Sequence, residues 1–186
     1  AYLQDYCVQW YICNGQTDHL IETGIDLYKL PLQEKKDILC SCIYGIDIDI
    51  HAVEVAKFSL LIKLIEDETA PSVSEVVPIL PDLGDNIQFG NSLVSQTELN
   101  GISGANRQMM EIAPFDWSTI NNGCGFDVII GNPPYVNTEG MHALLPSAEV
   151  EVYKKKYKTS HKQFDKYFIF IEQAINKINE NGLVCY

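Results

Sequence analysis

No apolar run in this chain approaches the roughly 18 residues that a helix needs to cross a bilayer. A helical membrane protein is excluded on that ground, and no membrane partner is expected. The first residues, Ala1-Tyr2-Leu3-Gln4-Asp5, lack the basic region and small-residue cleavage site of a signal peptide. C-x-x-C spacing is missing too. Cys7, Cys13, Cys40, Cys42, Cys124 and Cys185 give only the close pair Cys40-Ser41-Cys42. A zinc or redox site therefore has little support, and the six read as buried or half-buried free thiols in a reducing cytoplasm. Positive charge is scarce, with 13 Lys and Arg against 25 Asp and Glu for a net charge of −12. At first sight that argues against a nucleic-acid partner. No Gly-rich loop opens a helix behind a first strand. The G-x-G of Gly123-Cys124-Gly125 precedes a strand and fails that context.

The rest of the composition, 46% hydrophobic and 20% charged with 12 Gly and 8 Pro, is that of a globular protein. It excludes a collagen-like, fibrous or disordered chain. The 186 residues suit one domain with a sizeable core. Without a starting Met, and with Gly182 to Tyr186 reading as a strand, the chain is expected to be a piece of something larger.

Along the chain, residues 1–12 read as the end of a helix, and Pro31 opens a second one. Residues 42–47 read as a buried strand. Helix 51–65 follows, with Val53, Ala56, Leu60, Leu61 and Leu64 at i, i+3, i+4 spacing. Residues 69–82 read as a loop and 86–89 as a short strand. Residues 95–125 read mostly as a long insertion, with a short helix at Met109 to Ile112. Phe126-Asp127-Val128-Ile129-Ile130 reads as a continuous apolar strand, and a second insertion runs to about residue 160. Helix 163–179 puts Phe164, Tyr167, Phe168, Ile171, Ile175 and Ile178 on one face. Strands that alternate with helices and lack an in/out polarity pattern predict an α/β fold with a parallel sheet covered on both faces.

Between Lys154 and Lys166 the balance of charge reverses. Lys154, Lys155, Lys156, Lys158, Lys162 and Lys166 are opposed only by Asp165. Such a run is more often a solvated face than a binding site. Here the interleaved Tyr153 and Tyr157, with Ser160 and His161, suit contact with phosphate.

The segment Gly131-Asn132-Pro133-Pro134-Tyr135 directly follows strand 126–130, where open α/β sheets place their ligands. A chance Asn-Pro-Pro-Tyr has odds on the order of one in a thousand. Two prolines fix φ and remove two backbone donors, so acceptors remain: the Asn132 amide oxygen and the Pro133 carbonyl. A rigid pair of acceptors beside the ring of Tyr135 suits a planar group that carries an NH₂. The plain alternative is a tight turn with Tyr135 as a lid on the core.

Phe126 through Val136 resembles the catalytic motif of S-adenosylmethionine-dependent adenine-N6 DNA methyltransferases. The likeness is strongest to the gamma-class region of type II (IIG/IIS) restriction-modification enzymes, including those fused to a nuclease. Gly45 through Val53 resembles that family's second cofactor motif, and Asn86 through Leu93 the third. Phe164 through Val184 resembles the helix and strand that follow the catalytic loop, and Phe115-Asp116-Trp117 is typical of the restriction-modification branch. The implied fold is a Rossmann-like methyltransferase domain, incomplete because its first and last strands are missing. Residues 1–41 form a helical lead-in, 42–93 the cofactor half and 94–125 an insertion. Residues 126–186 hold the catalytic motif, the Lys-rich loop, a helix and a strand.

The resemblance implies methyl transfer from S-adenosylmethionine to adenine N6 in double-stranded DNA, with the adenine flipped out of the duplex. No metal is required. Asn132, Pro133, Pro134 and Tyr135 are the catalytic residues, and Asp47, Ile48, Asn91 and Ser92 the cofactor-binding ones. Lys154, Lys155, Lys156, Lys158 and Lys162 contact DNA. On its own chemistry, Asp47 suits the two ribose hydroxyls of a nucleoside and Ile48 its adenine face. Asp47 and Asp49 also read as helix-start caps. Many relatives carry an acid where this chain has Asn91, whose amide still offers an acceptor; an ordinary Gly-Asn-Ser turn is the plain reading. The family's first strand and Gly-rich loop, which hold the methionine end of the cofactor, are expected upstream of Ala1. Their loss predicts a sheet split between strands 42–47 and 126–130, and an isolated fragment of little activity. Target-recognition and nuclease domains of the parent chain are the expected partners, in a bacterial or archaeal cytoplasm. Two other functions are compatible with the motif: a protein glutamine methyltransferase and a non-catalytic methyltransferase-like module.

Overall fold

The computed structural model describes residues 2–66, 68–69 and 77–186. The chain is α/β and divides into two compact units, residues 1–45 with 54–87 and residues 46–53 with 88–186.

In the first unit, helix α1 (Tyr2–Cys13) precedes an antiparallel hairpin of β1 (Ile21–Gly24) and β2 (Leu27–Lys29). Helix α2 (Leu32–Cys42) starts directly behind Pro31, whose fixed φ suits a helix entry. Leu30, Leu32, Leu39, Leu64 and Leu83 are buried. Lys29 and Lys35 both pair with the Glu68 carboxylate. The hairpin had no counterpart in the sequence reading. Its strands are short and mostly exposed, so they lack the apolar alternation that announces a strand.

Strand β3 (Gly45–Asp47) leads into helix α3 (Ile50–Ile65), which buries Val53 and Leu64 as its spacing predicts. Helix α2 continues through Cys42, so β3 is shorter than the expected 42–47. It is also half-buried at most. β3 pairs with β4 (Ile87–Phe89). Gly45 N–H donates to Asn86 O and Gly90 N–H to Asp47 O, both at 2.9 Å, so the two strands run parallel. The expected loop 69–82 lies partly outside the described residues; 77–82 has no helix or strand.

The second unit contains α4 (Ala105–Ile112), β5 (Phe126–Ile130), α5 (Thr138–Leu144), α6 (Ser147–Lys156), α7 (Lys166–Ile175) and β6 (Ile178–Cys185). β5 and β6 are parallel, with Val128 opposite Leu183 and Ile130 opposite Cys185. The described strands form three separate pairs, β1–β2, β3–β4 and β5–β6. A split between the β3 and β5 strands is thus observed.

Three expectations are corrected here. First, β5 is not covered on both faces: Val128 is 59% and Ile130 76% exposed. The core cluster lies instead among the loop after β4 and the helices, with Leu93, Ile112, Met141, Val152, Tyr153 and Ile169 all buried. Second, both insertions are packed structure rather than loop, because α4, α5 and α6 supply much of that core. Third, α7 is shorter than 163–179, since Asp165 caps its start by accepting from Tyr167 N–H. Its buried face is Lys166, Ile169, Gln173 and Ala174, while Phe168 and Ile175 are exposed. The helix is apolar on several sides, and periodicity alone does not select the buried one.

Four of the six cysteines (Cys13, Cys42, Cys124 and Cys185) are exposed rather than buried, and all six are free. Among the described residues no helix is long and apolar enough to cross a membrane.

Candidate active site

The predicted site residues all lie in the second unit: Asp47 and Ile48 at the end of β3, Asn91 and Ser92 after β4, Asn132 to Tyr135 after β5, and the lysines on and behind α6.

β5 ends at Ile130, and Gly131 N–H still pairs with Cys185 O on β6 at 3.1 Å. The next four residues leave the sheet. Asn132, Pro134 and Tyr135 are exposed, while Pro133 is buried. The buried proline ring fixes the loop from within. No side-chain hydrogen bond engages Asn132 among the described residues. The ring of Tyr135 is 75% exposed and lies 5.7 Å from that of Tyr167, which in turn lies 4.3 Å from Phe168. Behind Tyr135 the chain is locked. Val136 N–H donates to Asp165 Oδ1 at 3.1 Å, and Lys166 N–H donates to Val136 O at 2.8 Å.

At the end of β3, Asp47 is exposed and its Oδ1 accepts from Asp49 N–H at 2.8 Å. Asp49 Oδ1 in turn accepts from His51 N–H at 2.9 Å, so Asp49 caps the start of α3. Asp47 keeps its second oxygen free of hydrogen bonds among the described residues. Ile48 beside it is 51% exposed.

The segment after β4 is built differently. Gly90 has φ +155°, and a Cβ there would lie 3.0 Å from Phe115 Cβ and Cδ2. Only glycine fits that turn. Asn91 is 4% exposed and faces the core. Its Nδ2 donates to Glu149 Oε1 at 2.9 Å, and its Oδ1 accepts from Leu93 N–H at 3.1 Å. Glu149 also accepts from Tyr153 and lies 3.4 Å from the Lys166 ammonium. Burial, reinforced by the Glu149 charge, pushes the Tyr153 phenol well up, so it stays a donor. An amide engaged this way holds its loop; the direct contact with a cofactor expected of Asn91 is not what its side chain presents. The Ser92 carbonyl accepts from Trp117 Nε1 at 2.9 Å. That bond gives Phe115-Asp116-Trp117 a local task. Phe115 fills the space that Gly90 leaves, and Asp116 caps the turn by accepting from Ser118 N–H at 2.9 Å.

The Lys-rich segment is not one basic face. Lys154, Lys155, Lys158 and Lys162 are exposed. Lys155 pairs with Glu151 at 2.6 Å, and Lys154 Nζ meets His142 Nε2 at 3.1 Å. Lys156 turns inward, 2.9 Å from Glu98 and 3.0 Å from Leu93 O. Tyr153 and Tyr157, expected beside phosphate, are 0% and 3% exposed. The alternation of lysine with tyrosine reflects an amphipathic helix end, its rings in the core and its ammonium groups outside. Sequence reasoning missed Glu149, Tyr157 and Gln173 in the buried polar network. Charged and amide residues are assigned to the surface by default, and no spacing rule marks the exceptions.

For a nucleoside-bearing cofactor, the donor set fits at one end. A free carboxylate oxygen and an exposed aliphatic side chain sit together at a strand terminus, which suits a ribose diol and a purine face. Among the described residues no three His, Cys, Asp or Glu side chains gather as a metal-binding group.

Parallel strand pairs carry a free acid at one C-terminal end and an exposed Asn-Pro-Pro-Tyr at another, so this α/β protein presents its candidate groups at strand ends. Comparison with known proteins gives the family: the family model described as Eco57I restriction-modification methylase matches residues 41–186, and the chain belongs to that family. The type II restriction enzyme and methyltransferase RM.Eco57I of Escherichia coli is 43% identical over 185 residues, covering 100% of this chain and 18% of that protein. The type II methyltransferase M.PaeR7I of Pseudomonas aeruginosa is 35% identical over 57 residues, 31% of this chain and 9% of that one. M.BstVI of Geobacillus stearothermophilus, also a type II methyltransferase, shows the same identity and coverage. This chain thus spans about a fifth of the length of the E. coli relative. No solved structure matches it.

Proposed function

We propose that this chain is the catalytic part of a Rossmann-like, S-adenosylmethionine-dependent DNA methyltransferase of a restriction-modification system, acting on adenine N6. The observation that carries the proposal is the Asn132–Tyr135 loop. Its amide and its ring face solvent at the end of a parallel strand, while the buried Pro133 holds it rigid.

Asn132 Oδ1 and the Pro133 carbonyl accept the two hydrogens of an adenine amino group. This orients the nitrogen lone pair away from the loop. Tyr135 stacks on the base, with Tyr167 and Phe168 extending the aromatic surface. The base reaches the loop only after leaving the duplex. Asp47 holds the ribose hydroxyls of S-adenosylmethionine and Ile48 packs on its adenine, while Asn91 and Ser92 set the loop beside them. The cofactor, when bound, supplies the activated methyl group. Rate enhancement then comes from positioning and fixed dipoles. The exposed Lys154, Lys155, Lys158 and Lys162 contribute phosphate contacts, and the rest of the parent protein contributes target recognition and any nuclease activity.

The test is to incubate the full-length protein with duplex DNA and isotopically labelled S-adenosylmethionine, then digest the DNA to nucleosides. Label in N6-methyldeoxyadenosine, lost in Asn132→Ala, is the expected result. Label in a cytosine product or in protein glutamine overturns the acceptor assignment. Cofactor binding without transfer to any acceptor points to a non-catalytic module.

A further inference from the structure

Two consecutive backbone carbonyls behind Asn91 each receive two side-chain donors. Ser92 O accepts from Trp117 Nε1 at 2.9 Å and from Gln173 Nε2 at 3.1 Å. Leu93 O accepts from Tyr157 Oη at 2.7 Å and from Lys156 Nζ at 3.0 Å. Tyr157 Oη also lies 3.1 Å from Gln173 Oε1, so the hydroxyl stands between the two carbonyl sites and joins them. Both side chains are buried, Gln173 at 6% and Tyr157 at 3% exposure.

An ordinary turn does not need this. Loop carbonyls usually face water, whereas here each has two protein donors within hydrogen-bond distance. One of these donors, Gln173, comes from the helix that also holds the other loop. Gln173 stands two turns along α7 from Lys166, whose N–H holds Val136 O directly behind Tyr135. At 1.5 Å per residue that is about 10 Å of rigid helix. The first turn of α7 fixes the exit of the Asn132–Tyr135 loop, and its last turn fixes the Asn91–Leu93 loop.

We infer that Gln173 and Tyr157 are positioning residues that clamp the cofactor-side loop 91–93, with α7 as the strut that sets its distance from the Asn132–Tyr135 loop. This rests on the methyltransferase reading above. The clamp touches no substrate; it acts by keeping the segment beside Asp47 in one conformation before the cofactor arrives.

Gln173→Met removes the donor to Ser92 and the second acceptor of the tyrosine hydroxyl while keeping the side chain's volume. Tyr157→Phe removes a single oxygen. Each variant is made in the full-length protein. Amide hydrogen exchange at Leu93 and Val94 is measured without ligand. S-adenosylmethionine binding is measured by calorimetry, and duplex binding and the denaturation midpoint alongside. The expected result is faster exchange at Leu93 and Val94 and cofactor binding weaker by about tenfold, on the scale of one hydrogen bond. Duplex affinity is unchanged, and the effects of the double variant are less than additive. Unchanged exchange and cofactor affinity in the folded variants overturn the clamp. So does a parallel loss of cofactor and duplex binding that tracks the fall in stability, because a merely structural pair behaves that way. Should Gln173→Met not fold, Tyr157→Phe reads the same loop through Leu93. If the wild-type protein binds no S-adenosylmethionine, the methyltransferase reading fails while the exchange data still decide whether the loop is clamped.

Discussion

The loops that follow β4 and β5 are held rigid by opposite means. After β4, the Asn91 amide and the Ser92 and Leu93 carbonyls are engaged by side chains from α6 and the Tyr157 that follows it, from α7 and from the Phe115-Asp116-Trp117 turn. After β5, the Asn132 amide and the Tyr135 hydroxyl make no hydrogen bond among the described residues, and order comes from two proline rings with an anchoring hydrogen bond behind them. A loop that only has to keep its shape can be tied down through its hydrogen-bonding groups. A loop that must offer those groups to a ligand has to be stiffened in another way, and proline does this without occupying an acceptor.

The largest effect is expected where the tied loop is cut loose at its buried charge. Glu149→Leu leaves the Lys166 ammonium without its carboxylate at 8% exposure. A loss of about 3–5 kcal/mol in chemical denaturation follows. Glu149→Leu combined with Lys166→Met recovers most of it, and failure to recover would mean that Asn91 and Tyr153 matter more than the charge pair.

Breaking the free loop has the reverse signature. Asn132→Ala lowers kcat for methyl transfer by about 100- to 1,000-fold, the scale of one lost transition-state contact. Stability moves by no more than about 0.5 kcal/mol, as for other exposed positions. A large drop in stability would mean that Asn132 belongs to the scaffold. Tyr135→Ala weakens engagement of the flipped base by about 1–3 kcal/mol, read as KM for DNA or as fluorescence of a 2-aminopurine target, and Tyr135→Phe restores it.

The smallest expected effect is a pH dependence on α7. Burial raises the Glu172 carboxyl, but hydrogen bonds from Thr159 and from Lys158 N–H outweigh it, holding the group below its ordinary value of 4.5. Its contribution is therefore complete above that value and is lost as the pH falls through the lowered one. Denaturation midpoints of wild type and Glu172→Gln should differ at neutral pH and converge in acid. A constant gap would remove the linkage.

What was readable in advance follows from the same contrast. The Asn-Pro-Pro-Tyr loop, the strand before it and Asp47 with its following helix announce themselves, because exposed functional groups at strand ends need particular residue types in a short span. The clamp did not. Gln173 and Tyr157 are 16 residues apart, and Leu93 is 64 residues from Tyr157. Nothing local ties them together. Helices α5 and α6 were hidden by their flanking lysines and prolines; α7 was legible as a helix, but its buried face was not, because it is apolar on several sides. Coverage of β5 was misjudged for a different reason: an apolar strand shows that a face can be buried, not that this chain supplies the cover.

The excursion between Thr138 and Phe164 begins and ends at one point. Thr138 Oγ1 donates to Phe164 O and accepts from Phe164 N–H, both at 2.8 Å, and Asn137 bridges Asp165 beside them. Two residues distant in sequence thus form a hem, closed whatever length of chain hangs from it. Extra residues at the Leu144–Pro146 bend add only the slowly growing entropy of a longer loop, about 0.6 kcal/mol per doubling. The segment is open to elaboration at its tip but not to removal, because Met141, Val150 and Tyr153 belong to the core. Variation among related enzymes can accumulate there without shifting the position of Tyr135.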